Sequence, residues 1–292
     1  MSLLLPSPAK LNLFLHITGR REDGYHYLQT IFQFLDLPLT DQIHFCKAPE
    51  GEQEVVLTVS PELPEILAAE KNLIVRAAKL LQMYTGYHGG ARIHLDKHLP
   101  IGGGVGGGSS NAASTLIGLN HIWQTDLDKD QLAGLGVQLG ADVPVFVHGY
   151  ASFAEGIGEQ LHPLPDLHEP WYILVVPKVQ VNTSVMYQHP QLPRNTPKIT
   201  VKDVMEHLGE NDFEEVVRKV YPEIDRKMHV VNHVGKACLT GSGSWIYAPF
   251  ETQRQAEDAK RALQAYELQI FVSKGCNRSP LHRHLSSLSL NF

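Results

Sequence analysis

The sequence predicts a chain of mixed helices and strands in two domains, and three observations predict it. Two-residue alternation of apolar side chains recurs in short segments, and helical three-to-four spacing recurs between them. A Pro- and His-containing connection, LHPLPDLHEP at 161–170, then divides the run. The 292 residues are 43% hydrophobic and 19% charged, enough for a buried core in one large or two modest domains.

Leu11, Leu13, Leu15 and Ile17 alternate with Lys10, Asn12, Phe14 and His16, which predicts a strand with one face on a core and Lys10 and Asn12 together on the other. The apolar stretch before it is broken by Lys10 and two prolines and fits neither a signal peptide nor a membrane span. Strands follow at 55–59 and 91–95, and a helix at 72–84 carries Leu73, Ala77, Leu80 and Tyr84 on one side. The stretch LPIGGGVGGGSSNAA at 99–113 holds six glycines within 102–108. After it, Ala113, Leu116, Asn120 and Trp123 mark a helix that a serine at its start would cap, and 124–142 reads as turn and helix. Beyond the connection, 171–177 reads as a strand and 203–208 and 212–220 as helical. Residues 229–250 read as helix or strand, a glycine turn and a strand; 251–265 is a charged amphipathic helix and 270–275 a last strand.

A net charge of −6 and a pI near 6.2 give no overall basic field, so neither nucleic acid nor a membrane is an expected partner. An anionic ligand must be held by local devices, and a small molecule is the expected partner. Cys46, Cys238 and Cys276 are odd in number and far apart, which argues against disulfides or a zinc site and for a reducing, cytoplasmic compartment.

Gly102, Gly104 and Gly107 satisfy G-x-G-x-x-G, yet the segment that follows lacks the strand and acidic residue of a dinucleotide fold. The P-loop pattern fits 103–110 except that Ser109 stands where its lysine belongs, so a phosphate-binding lysine must come from elsewhere. Glycines fused to a helix start still let backbone N–H groups approach phosphate oxygens, and Ser109 or Ser110 offers a hydroxyl to phosphate or Mg²⁺. Taken alone, Lys10 reads as a solvated strand residue, and Asp142 reads equally as a polar cap before the Val143-Pro144 break or as a functional carboxylate. His94 and His98 do not share a helix face, and His282 and His284 fall in a basic tail segment, so no metal ligands are assigned.

PSPAKLNLFLHITGRREDGYH, the glycine loop, LGADVPVFVHG at 139–149 and LTGSGSWIYAPF at 239–250 resemble, in order and spacing, the motifs of the GHMP kinase superfamily. The match runs from about residue 8 to about residue 285. With DGYH and LPRNTP at 192–197, the chain is similar to the branch that uses ATP to phosphorylate the 2-hydroxyl of a cytidine diphosphate-linked methylerythritol, a step of non-mevalonate isoprenoid synthesis. The resemblance implies an α+β fold with its active site in the cleft between two domains. These are an ATP-binding, ribosomal-protein-S5-domain-2-like domain over 1–162 and a ferredoxin-like GHMP kinase domain over 163–292. It implies ATP and Mg²⁺, and a monomer or weak homodimer.

By the same resemblance Asp142 takes or orients the acceptor proton, while Lys10 holds Asp142 ionised and steadies the transferring phosphoryl group. Lys97, Pro100, Gly102, Gly103, Gly104, Val105, Gly106, Gly107, Gly108, Ser109 and Ser110 serve ATP. Tyr25 and His26 meet the cytosine and Tyr187 closes its other face; Asn12, Thr183, Gly241 and Gly243 complete the substrate side. The chain departs from the family at Trp245, where a small residue or cysteine is usual, and at Asn182 and Ser184, where prolines are common. A mevalonate- or homoserine-type kinase and an inactive nucleotide-binding regulator are the alternatives.

Overall fold

The computed structural model describes residues 2–63, 72–100 and 102–290. In chain order the first half supplies β1 (Ser2–Ser7), β2 (Lys10–Arg20), β3 (His26–Asp36), β4 (Asp41–Lys47), β5 (Val55–Ser60), α1 (Leu73–Thr85) and β6 (Ala91–Asp96). It continues with α2 (Gly107–Trp123), α3 (Lys129–Val137), α4 (Val143–His148), β7 (Ser152–Glu155) and β8 (Gln160–Pro163). The second half supplies β9 (Trp171–Val176), α5 (Thr183–Gln188), α6 (Glu214–Val220), α7 (Pro222–Val231) and β10 (Cys238–Leu239). β11 (Ile246–Phe250), α8 (Gln253–Ala262), β12 (Gln269–Cys276) and α9 (Pro280–Ser287) follow.

Alternating burial along β1, β4 and β6 gives a four-stranded sheet of order β1-β4-β6-β5, antiparallel except for the β5–β6 pair. Ile74, Ala77 and Leu81 of α1 and Leu116 and Leu119 of α2 share a core with Ile43, Phe45 and Ile93 of this sheet. The second sheet runs β10-β11-β9-β12-β3-β7-β8, with β2 laid along β3. Because β12 pairs with residues 34–36 of β3, strands from the two ends of the chain share one sheet. α6, α7 and α8 contribute to a second core with β9 and β11.

β2 departs from the expectation of one wet face, for every residue from Lys10 to Ile17 is buried. A distant segment covers its free edge: Leu15 N donates to Glu210 O at 2.9 Å and Gly209 N to Leu13 O at 2.7 Å. Lys10 is therefore not a solvated strand residue, and its charge must find partners inside the protein. α2 also begins earlier than the serines, capped by Gly106 at φ 76° with no side-chain cap, and Ser110 Oγ is buried without a partner. The expected serine cap is corrected, since glycine reaches that left-handed conformation at no steric cost. The tail segment is a packed helix: His282 is buried with Nε2 3.2 Å from Phe146 O, and burial pushes its pKa down to about 4. At 203–208 the chain makes only a short 3₁₀ turn, Val204–His207. β1, β3, β4, β7 and β8 lie outside the segments that periodicity marks as strands.

Candidate active site

A cleft of about 1130 Å³ lies where the glycine loop, β2, α5 and the 239–245 turn meet. Lys10, at the start of β2, is 2% exposed, and its ammonium carries three donors. They meet Asn12 Oδ1 at 2.5 Å, Gly104 O at 2.9 Å and Asp142 Oδ2 at 3.1 Å. The Phe32 ring lies 5.2 Å away. Asn12 is oriented in turn, its backbone N–H donating to Thr240 Oγ1 at 2.8 Å and its Nδ2 to Thr30 Oγ1 at 2.9 Å. Asp142 stands at the N-cap of α4 without capping it, and its side chain is 33% exposed. Burial prevents water from solvating Lys10, so its fixed positive charge is compensated by a carboxylate that still opens on the cleft.

The glycines divide into two sets. A Cβ on Gly103 would fall inside the Trp245 ring, one on Gly104 against Thr240 O, and one on Gly106 against the Phe146 ring. Gly104 and Gly106 also sit at φ 80° and 76°. These positions are closed by the protein itself, and Trp245, whose backbone N–H donates to Gly103 O at 3.2 Å, is part of the floor that closes them. At Gly107 and Gly108, by contrast, a Cβ would meet only Leu99 at 3.9 Å and Leu73 at 3.4 Å. Among the described residues no acceptor meets the N–H groups of Gly107, Gly108 or Ser109, so the first turn of α2 presents unpaired donors to the cleft. That is the cradle an anionic oxygen fits. Ser109 lines the cleft, whereas Ser110 does not. Asn111, which sequence reasoning passed over as an ordinary helix residue, lines it with an unpartnered buried Oδ1.

Lys97 is placed on the wall, but its ammonium is held by Asp41 at 2.8 and 3.1 Å and by Leu99 O. Asp41, wholly buried, also accepts from His98 N at 2.8 Å and Leu99 N at 2.7 Å. This pair folds the approach to the glycine loop, and Pro100 lines the cleft just beyond it.

On the opposite side the 239–245 turn docks under the loop, with Gly241 at φ 57° close to Gly104 and Asn12. Asn211 Nδ2 holds Leu239 O and Gly241 O at 2.9 and 2.8 Å. Thr183 Oγ1 and Ser242 Oγ are 2.6 Å apart. Asn182 caps α5 by accepting from Val185 N at 3.2 Å, which gives asparagine a physical reason at this position. His26 is buried and stacks on Tyr187 at 4.9 Å and 22°, while Tyr25 stands exposed at the rim. Arg194 donates to His26 Nε2 at 3.3 Å and to the carbonyls of Tyr187 and His189 at 3.0 and 2.9 Å. Burial, then Arg194 and Arg20, lower the His26 pKa; burial, then Asp142, raise that of Tyr187. Arg194 was visible only as part of LPRNTP, and nothing in the spacing tied it to His26.

The description of the GHMP kinases N terminal domain matches residues 72–150, and that of the GHMP kinases C terminal domain matches 196–267. The 4-diphosphocytidyl-2-C-methyl-D-erythritol kinase of Pseudomonas aeruginosa strain LESB58 is 49% identical over 286 residues, covering 98% of each chain. A crystal structure of 4-(cytidine 5'-diphospho)-2C-methyl-D-erythritol kinase superposes with TM-score 0.75 at 32% identity, covering 94% of this chain and 99% of the other. A mevalonate kinase crystal structure superposes with TM-score 0.67 at 18% identity, covering 94% and 99%, which speaks for the fold alone.

Proposed function

Because the chain belongs to the GHMP kinases and, within them, to the 4-diphosphocytidyl-2-C-methyl-D-erythritol kinase family, we propose that it transfers the γ-phosphoryl group of ATP to the 2-hydroxyl of that cytidine diphosphate conjugate. The observation that carries the mechanism is the Lys10–Asp142 pair, which shares one cleft with the unpaired amides at the start of α2.

Phosphoryl transfer passes through a loose transition state, so positioning and fixed charge matter more than a strong base. The N–H groups of Gly107, Gly108 and Ser109 receive phosphate oxygens of ATP, with the α2 dipole behind them. The half-open Asp142 carboxylate accepts the hydrogen bond of the acceptor hydroxyl and its proton as the new P–O bond forms and the bond from the γ-phosphorus to the departing ADP breaks. Lys10, with all its donors engaged, works as a fixed charge that holds the Asp142 carboxylate in place and lowers the energy of negative charge gathering beside it. The Ser109 hydroxyl and the Asp142 carboxylate are the hard oxygen groups on the cleft wall that would hold Mg²⁺, which would supply charge neutralisation for the phosphates of ATP.

His26, steadied by Arg194, meets the edge of the cytosine, and Tyr25 and Tyr187 supply aromatic surface to its faces. Lys97 acts on ATP through the loop that it shapes with Asp41. We assign the enzyme to the cytoplasm, as a monomer or weak homodimer; no helix among the described residues is long and apolar enough to cross a membrane.

A coupled ADP-release assay tests the reading with the cytidine conjugate, its uridine analogue, mevalonate and homoserine as acceptors. The uridine analogue reverses a buried donor to an acceptor, worth about 1–3 kcal/mol, so kcat/KM falls roughly tenfold to several hundredfold. Mevalonate and homoserine give no turnover. Turnover of mevalonate alone would move the chain to another branch.

A further inference from the structure

We propose that His16, His207 and Glu210 form an exchangeable site for a transition-metal dication of the Zn²⁺ class, outside the kinase cleft, which ties β2 to the segment beneath the 239–245 turn. His16 Nε2 lies 2.9 Å and His207 Nδ1 3.0 Å from the same oxygen, Glu210 Oε2. Among the described residues this is the only such cluster, its ligand atoms all within 4.8 Å of one another. The imidazoles cross at 74° with centroids 5.5 Å apart, so they approach that oxygen from different directions rather than stacking.

Two imidazole nitrogens and a carboxylate oxygen suit Zn²⁺, Ni²⁺ or Co²⁺ and are a poor set for Mg²⁺, which prefers oxygen alone. Ligand atoms about 2.0–2.2 Å from a tetrahedral ion sit about 3.3–3.5 Å from one another. The observed separations of 2.9 and 3.0 Å to Glu210 therefore need only a small opening. As it stands, the carboxylate is bridged by hydrogen bonds, and a dication replaces the bridging protons with its own charge. His16 is fixed within the core at 5% exposure, while His207 and Glu210 reach solvent, leaving a way in and room for a water ligand.

The site also shows why it exchanges its ion. His16 Nδ1 is buried with no partner, so the ring lacks the outer hydrogen bond that orients tightly held imidazole ligands. Loss of such a partner weakens binding about 10–100-fold, which points to micromolar occupancy rather than a permanent structural ion. Occupancy acts on the segment that closes β2. Leu15 N donates to Glu210 O, Asp212 N to Leu15 O, and Asn211 holds the 239–245 turn.

Metal-free, tag-free protein titrated with Co²⁺ in the presence of excess Mg²⁺ tests this. Saturable visible ligand-field bands are expected, bleached by Zn²⁺, with a dissociation constant in the micromolar range. His207→Ala and Glu210→Gln, both at partly exposed side chains, each weaken binding at least about tenfold. His94→Ala, beside the other exposed histidines, changes nothing. Melting curves recorded without metal confirm that each variant is folded. Absence of saturable bands in the wild type, or unchanged binding in both variants, overturns the proposal.

Discussion

Two buried lysines flank the glycine loop, each paired with an aspartate, and only one of the pairs faces chemistry. Asp41 is 0% exposed and has all its capacity taken by Lys97 and by the amides of His98 and Leu99. Asp142 is 33% exposed, and Lys10 is its ion-pair partner, so it retains acceptor capacity on the cleft side. Burial and ion pairing are common to both. What separates them is spare hydrogen-bonding capacity on a cleft wall, which marks a catalytic pair where a saturated carboxylate marks a structural one.

The largest effect that would break this comparison comes from Lys10→Ala. It removes the charge that holds Asp142 and supports the phosphoryl group, and turnover is expected to fall by about a thousandfold or more, read by ADP release. Asp41→Asn should leave Lys97 buried without its counter-charge and cost about 3–5 kcal/mol, a fall in Tm of roughly 10 °C by calorimetry. A wild-type melting temperature would deny the structural role. Next come the glycines. Gly104→Val meets Thr240 O in a left-handed backbone and should destabilise the fold by about 2 kcal/mol or more. A Cβ at Gly107 meets Leu99 only at an ordinary contact distance of 3.9 Å, so Gly107→Val should fold normally and bind an ATP analogue at least about tenfold more weakly, tested by titration calorimetry beside circular dichroism. Equal stability in the two variants would erase the division of the loop.

The sequence carried much of this and missed a definable part. Lys10 and Asn12 were legible on one strand face because a two-residue period is local, and the order of the motifs marked Asp142 and the loop. The covering of the free edge of β2 was not legible, because 209–212 pairs with it from some 200 residues away. Nor was the split among the glycines, since Trp245 and Thr240 reach the loop only in the folded chain. Asp41 carried no motif and sits 56 residues from Lys97, and Arg194 sits 168 from His26. Long-range pairing of polar groups leaves no period in a single sequence.

A separate effect is an acid-side background that neither pair produces. His282 has a folded pKa of about 4, below its ordinary value, so between about pH 6.5 and 4 the unfolded chain binds the extra proton. Stability therefore declines as pH falls through that window, by up to about 3 kcal/mol, and levels off below it. Urea melts across the range check this, and His282→Asn should flatten the slope.

The most direct test of the central contrast is single-turnover phosphoryl transfer at saturating ATP by Asp142→Asn beside Asp41→Asn, at a temperature where both are folded. The account predicts that Asp142→Asn loses at least about a thousandfold in rate while binding both substrates within about tenfold, and that Asp41→Asn stays within about threefold of wild type despite its lower Tm. Retention of more than a tenth of the wild-type rate by Asp142→Asn, or an equal loss in Asp41→Asn, would contradict it.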